Sequence, residues 1–429
     1  MTRLLIRNGR LVDPSQGIDG GMDLLIEDGR VAACEERLDA PHDAEILDAG
    51  GQVVAPGFID LHVHLGEPGL EYRETVATAC RAAVAGGFTA VCASPDTLPA
   101  TDDPAMVRFV TERAEAVGLA RVYPVGALSR GLDGAELAEM GEMVREGAVA
   151  IGDDGRAVAN GLLMRRGLEY ARSFGVAVMV HAETPDLADG GVMHEGAVST
   201  RIGLRGNPSS AEVAAVARDL VLTELTGGRL HLSRLSTSRA LESVRAAKRQ
   251  GLAVTCDVTA HHLALVDEDV ASGSYHPDWK TTPPLRSVGD RAAIRAAIAD
   301  GTVDAICSDH RSIHADEKER DFSEAPAGIA GIETAVGVAI DELIYGEIID
   351  VMRLVRLFST GPAQALGLPG GTLEVGAVAD VTVLDLRARW TVDPARFSSR
   401  CRNTPFAGRT LKGAPAATVV GGKVVWHSS

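Results

Sequence analysis

The chain has 429 residues, 45% apolar and 24% charged, the proportions of a globular protein with a large core. Its 42 basic residues against 59 acidic ones leave a formal charge of −17. That argues against nucleic acid or an anionic membrane as a partner, because both recruit cationic surfaces. Six cysteines (Cys34, Cys80, Cys92, Cys256, Cys307, Cys401) form no CxxC pair, so free thiols in a reducing cytoplasmic compartment are expected rather than a disulfide scaffold. MTRLLIRNGRLVD lacks the apolar core of a signal peptide, and no run of 18 apolar residues occurs.

In chain order, LLIRNGRLVD, DLLIEDGRVAAC and AEILDAGGQVVAPG read as short alternating strands broken by Gly or Asp-Gly turns. ADVTVLDL and ATVVGGKVVW, near the other end, share that pattern. The expectation is one small β domain assembled from 1–55 and 366–429, flanking a central domain over 56–365.

The central part alternates strand and helix. Apolar strand-like runs fall at FIDLHVHL, FTAVCAS, RVYPVGALS, AVAIGDD, VAVMVHAE, RLHLSRLS, AVTCDVTAHH and DAICSDH. Between them lie stretches such as ETVATACRAAVAGG, PAMVRFVTERAEAVG, LLMRRGLEYARSFG and SRALESVRAAKRQG, with apolar residues at three- and four-residue spacing and Gly at several ends. Eight strands, each followed by a helix, predict an α/β fold of the (β/α)8 TIM-type barrel kind. A doubly wound open sheet is the rival, but it gives no reason for the placement of the polar residues.

Those residues gather at the C-terminal ends of the predicted strands. The first strand ends in His62 and His64, the second in Asp96, the fourth in Asp153 and Asp154, and the fifth in His181. The sixth ends in His231 and Arg234, the seventh in His261 and His262, the eighth in Asp309 and His310. In a barrel these ends converge on the face where active sites are built. His62 and His64, two apart on a strand, point to one side, and with carboxylates from other strands they suit a divalent transition metal, most often zinc. The bland alternative is a pair of core histidines bonded to backbone. Asp309 is placed to bind a metal and to take a proton from attacking water, where the bland alternative is a helix N-cap. As neighbours on a strand, at most one of His261 and His262 would face inward. His42, His276 and His427 fall in loops or at an end and carry no assigned role.

APGFIDLHVHLGEPG, GDDGRAV, HAET, HLSRLST, TCDVTAHHL, TTPPLRS, CSDH, EAPAGIAGIET and NTPFAG together resemble the bacterial dihydroorotases of the amidohydrolase superfamily. The resemblance runs through essentially the whole chain. It implies interconversion of carbamoyl aspartate and dihydroorotate in pyrimidine synthesis, with zinc at the mouth of the barrel. Carried over position by position, the metal shell would be His62, His64, Asp154, His181 and Asp309. The sixth-strand ligand is the second His of a His-x-x-His-x-Ser-Thr pattern, and here that position is Arg234.

A guanidinium stays protonated at any accessible pH, so it cannot serve as a ligand and repels a dication. The resemblance therefore implies at most one zinc, on His62, His64, Asp154 and Asp309. The competing expectation is that Arg234 pairs with Asp154 or Asp309 and fills the site. Substrate-holding positions depart as well. The family's HxR is His64-Leu65-Gly66, its MPNT has Asp96 in place of Asn, its DHAPH has Ile313 in place of His, and the Asn often preceding PPLR is Thr282. Losing one bidentate Arg–carboxylate contact costs on the order of 2–5 kcal/mol when the partner is buried, and each 1.4 kcal/mol or so is tenfold in rate. Arg234 and Arg311 are the cations available to compensate. Two expectations follow: an impaired or inactive homologue that acts as a structural partner of aspartate transcarbamoylase, or an active zinc-dependent cyclic amide hydrolase using one metal with Asp309 as proton shuttle. The family resemblance also implies a homo-oligomer.

Overall fold

The computed structural model describes residues 2–428. Eight parallel strands run in sequence order around the central domain: β1 (Phe58–Val63), β2 (Phe88–Ala93), β3 (Arg121–Gly126), β4 (Ala150–Ile151), β5 (Ala177–His181), β6 (Arg229–Ser233), β7 (Val254–Thr259) and β8 (Ala305–Cys307). All eight of these are the expected barrel strands. The ring closes where Val63 bridges His310 in parallel, with His64 N–H donating to His310 O at 2.9 Å and His310 N–H to His62 O at 3.2 Å. The buried Asp60 carboxylate reinforces that closure by accepting the Ser308 N–H at 3.1 Å and the His62 N–H at 3.2 Å. Burial pushes its pKa up to about 6.

Local chemistry starts the surrounding helices where expected. Thr75, Asp103, Asn160, Thr237 and Ser287 each accept a first-turn N–H with their side chains, the cap that an exposed helix start needs. Apolar faces of these helices pack on the strands in one large core containing Phe58, Phe88 and Phe358, whose rings lie 5.3–6.4 Å apart. His261 and His262 depart from expectation. The seventh strand ends at Thr259, and Ala260–Ala264 is a helical turn capped by the Thr259 hydroxyl, so both imidazoles are buried with ring centroids 4.7 Å apart.

The chain ends build a separate sheet. Its strand order is Lys423–His427, Thr410–Val420, Val381–Thr391, Val53–Pro56, Arg3–Asp13, Ile18–Glu27 and Arg30–Glu35, with Glu45–Asp48 also beside Arg3–Asp13. Asp28-Gly29, at φ 47° and 78°, forms the left-handed two-residue turn between two of these strands, as Asp-Gly favours. The sheet has its own apolar core around Leu4, Ile6, Leu24, Val381 and Val419. It is tied to the barrel by Arg121, which forks onto Asp380 at 2.6 and 3.0 Å, and by Thr382 and Thr418 hydroxyls donating to Gly87 O and Val84 O. No helix among the described residues is long and apolar enough to cross a membrane.

Candidate active site at the barrel mouth

The residue after β6 and the second residue after β8 hold unusual backbone conformations. Arg234 has φ 57° and Asp309 φ 50°, left-handed values that cost a non-glycine residue roughly 1–3 kcal/mol. At Arg234 the surrounding bonds enforce the turn: its N–H donates to Asp257 Oδ1 at 2.7 Å and the Leu235 N–H to Asp257 O at 3.0 Å. The side chain is thereby aimed across the mouth. Arg234 Nη1 donates to Asp309 Oδ1 at 2.7 Å, and Nη2 donates to Asp154 Oδ1. Both carboxylates are paired, where the sequence suggested one or the other. Arg234 is the largest of the fully buried side chains, at 2% exposure.

Electrostatics follow from that geometry. Burial opposes ionisation of Asp154, but Arg234 and the nearby histidines hold its carboxyl well below the usual range. Burial likewise opposes the Arg234 charge, and Asp154 and Asp309 outweigh it, raising its pKa further. His181 is pushed the other way, to about 3, by burial and by the cation beside it. Neither of its ring nitrogens has a partner. Ser94 Oγ also donates to Asp154.

His62 is held from beneath. Its Nε2 lies 2.7 Å from Asp257 Oδ2, and His231 Nε2 lies 2.8 Å from the same oxygen. His231 Nδ1 meets Thr255 Oγ1 at 2.8 Å. Burial opposes a charge on His62, yet Asp257 with Asp154 pushes its pKa up to about 10; in that state Nε2 donates to Asp257, while Nδ1 stands 3.9 Å from Asp154 Oδ2. His62, His231 and Asp257 have ligand atoms within 4.8 Å of one another. Their spacings are those of hydrogen bonds, so an ion could enter only by displacing the protons they share.

The outer residues are also paired among themselves. His64 Nδ1 lies 2.7 Å from Asp96 Oδ1, and Arg311 Nη2 donates to Asp96 Oδ2 at 3.1 Å. His64 Nε2 has no partner and stands 3.8 Å from Asp154 Oδ2. The two arginines suggested as replacement anchors are therefore spent on the protein's own carboxylates. Gly66 sits at φ 69°, and a Cβ there would lie 2.6 Å from Glu74 O, so this turn excludes any side chain. Ile313 is buried, its N–H donating to Asn403 Oδ1 at 3.0 Å. Asn403, in NTPFAG, also donates to Arg311 O and Gly328 O, which fixes the loop after β8. Thr282 lines a separate cavity of about 220 Å3 with Glu183, Asn207 and Lys280.

Other motif residues prove to be scaffold. Glu212 accepts from the backbone and hydroxyls of Ser236 and Thr237, and Arg286 of PPLR donates to Ser236 Oγ at 3.0 Å. His310 meets Glu74, which also accepts from Ser312 and Ser399. Asp257 and Asp60 were not singled out by strand-end reasoning, since both lie within strands. A lone acid inside an otherwise apolar buried strand is the signal that could have found them.

A metal suits part of this constellation. His64 Nε2 and both nitrogens of His181 are buried and unpartnered, and a cavity of about 10 Å3, enough for a single water or ion, is lined by His62, Asp154, His181 and Ser233. The carboxylates do not suit it, because both are engaged by a permanent cation. With Arg234 in this position the complete donor set does not accommodate a dication.

Histidines and aspartates converging at the C-terminal ends of a parallel (β/α)8 barrel, with a β sheet from the chain ends, define an amidohydrolase-type protein. The Dihydro-orotase-like family matches residues 51–240, and the Amidohydrolase family matches 332–426. The chain is 55% identical over 422 residues to a dihydroorotase of Anaeromyxobacter sp. (strain K), covering 98% of this chain and 97% of that one. It is 48% identical to a dihydroorotase of Pelotomaculum thermopropionicum, covering 99% and 98%. Among solved structures, L-hydantoinase (dihydropyrimidinase) from Arthrobacter aurescens superposes with a TM-score of 0.88 at 26% identity, covering 100% of this chain and 96% of that one. The chain belongs to the dihydroorotase family of pyrimidine biosynthesis.

Proposed function

We propose that this dihydroorotase-family protein is impaired or inactive in interconverting carbamoyl aspartate and dihydroorotate, and that it acts in the cytoplasm, as a homo-oligomer, as a structural partner of aspartate transcarbamoylase. The observation that carries the first half is the Arg234 guanidinium, buried and bonded to both Asp154 and Asp309. Asp309, the family's proton carrier, is held in an ion pair rather than facing a reacting water. The anchors for a dicarboxylate are also missing. Gly66 has no side chain, Ile313 is apolar, and Asp96 offers a carboxylate already paired with Arg311 and His64 in place of a neutral amide donor. Each lost carboxylate contact is worth on the order of 2–5 kcal/mol, so together they lower turnover by several powers of ten.

The partnership with transcarbamoylase rests on the family resemblance and on the intact scaffold, with the Glu212–Arg286 and Asn403 networks complete around a mouth whose chemistry has changed. Mixing the purified chain with the transcarbamoylase of the same organism and measuring sedimentation tests it. A joint species at micromolar concentration is expected, and two independent boundaries would rule the partnership out.

A second reading has its own support. The unpartnered nitrogens of His64 and His181, and the dihydroorotase relatives, favour an active cyclic amide hydrolase with one zinc. In that case Arg234 must leave Asp154 and Asp309 when the ion enters. The bound metal would polarise the scissile amide and activate water, while Asp309 would hold the transferred proton. Cyclisation that disappears on chelation and returns with zinc would select this reading.

A further inference from the structure

We propose that Arg234 is a built-in stand-in for a divalent cation: its guanidinium ties the ends of β4, β6 and β8 together through Asp154 and Asp309, so the mouth holds its shape without metal, and the single substitution Arg234→His reopens a metal site. The inference rests on the reading of a mouth whose carboxylates are spent on Arg234. A metal at this place would draw carboxylates from separate strands toward one centre. The guanidinium does the same with two different nitrogens, Nη1 to Asp309 at 2.7 Å and Nη2 to Asp154. It starts from the strand end where the family's missing ligand would stand.

Three features make the change reversible by one residue. First, two of the remaining histidines keep donors outside any network, although His62 is held by Asp257. Both nitrogens of the buried His181 and Nε2 of the buried His64 lack any partner, although an unpaired buried imidazole nitrogen is unfavourable. Second, the small cavity between His62, Asp154, His181 and Ser233 already borders Asp154, one of the guanidinium's two partners, and exchanging arginine for the smaller imidazole adds space beside that carboxylate. Third, the backbone at position 234 is set by Asp257, which accepts the Arg234 N–H at 2.7 Å whatever the side chain. Its φ of 57° lies in the left-handed region where histidine is comparatively common among residues other than glycine. Removing the guanidinium frees two carboxylates at once, and the new imidazole supplies the one donor the family shell lacks.

The test compares the wild-type chain with Arg234→His, each stripped with EDTA and then dialysed against zinc. The readouts are zinc per chain by mass spectrometry and the melting temperature with and without chelator. The wild type is expected to carry substoichiometric zinc and to melt at the same temperature in EDTA and in zinc. Arg234→His is expected to take up at least one zinc per chain and to melt several degrees lower in EDTA. Arg234→Gln covers the case in which the imidazole variant does not fold: it is expected to melt below the wild type in EDTA and to recover part of that loss in zinc. Stoichiometric zinc in the wild type, with melting lowered by EDTA, overturns the proposal. So does a folded Arg234→His chain that takes up none, or an Arg234→Gln chain that melts with the wild type. The functional reading fails differently: a zinc-free wild type that cyclises carbamoyl aspartate would sink that reading and leave this one standing.

Discussion

Replacing Asp257 with asparagine probes the buried layer beneath the mouth. The carboxylate is 0% exposed and takes His62 Nε2 at 2.7 Å, His231 Nε2 at 2.8 Å and the Arg234 N–H at 2.7 Å. Asparagine keeps the shape but removes the charge facing His62, and removing one member of a buried pair costs about 3–5 kcal/mol. The pH dependence identifies the cause. His62 has its pKa raised to about 10, so its contribution is fully present below the unfolded value near 6.5 and is lost as pH rises through about 10. That displacement corresponds to on the order of 5 kcal/mol over the window. Urea denaturation from pH 6 to pH 10.5 is the assay. The wild type should lose stability steadily above pH 6.5, whereas Asp257→Asn should start lower and lose less. A variant with the wild-type midpoint and the same pH profile would refute the assignment of Asp257 as the counter-ion of His62.

Other consequences are checked by similar means. Gly66→Arg, which restores the family's arginine in name, places a Cβ 2.6 Å from Glu74 O at a φ of 69°, so it should destabilise the chain by about 2 kcal/mol or more and restore no turnover. A variant of undiminished melting temperature would show that the turn has room to spare. Glu74 is buried, which opposes its charge, but bonds from His310, Ser312 and Ser399 hold its pKa down to about 2. Its contribution, on the order of 3 kcal/mol, is present above pH 4.5 and lost as pH falls toward 2. Acid unfolding of Glu74→Gln should therefore be shallower than that of the wild type, and parallel acid limbs would discount the bond network.

The barrel was legible because its strands and helices carry different apolar periods, and because histidines and aspartates recur at strand ends. That Arg234 would pair with a carboxylate of the mouth was one of two expectations open in the sequence, since a guanidinium keeps its proton. Its double pairing was not, because the reach from β6 to β4 and to β8 depends on a left-handed turn held by a residue of β7. Asp257 escaped notice for a related reason: its role is set by what faces it across the barrel, and a strand-end survey passes over it. His261 and His262 were assigned to a strand because the apolar run continues past Thr259, where the threonine hydroxyl in fact starts a helical turn. Arg311 read as a free cation because nothing in the sequence brings it to Asp96, 215 residues away. Gly66 read as a lost side chain. In the structure it is a turn in which a side chain has no space.

The most direct test is a turnover assay on the purified full-length chain, run with carbamoyl aspartate and with dihydroorotate, with and without added zinc, alongside metal analysis of the same sample. The account predicts no product above the enzyme-free control in either direction. Turnover within the ordinary enzymatic range, roughly 1–1,000 per second, would contradict it.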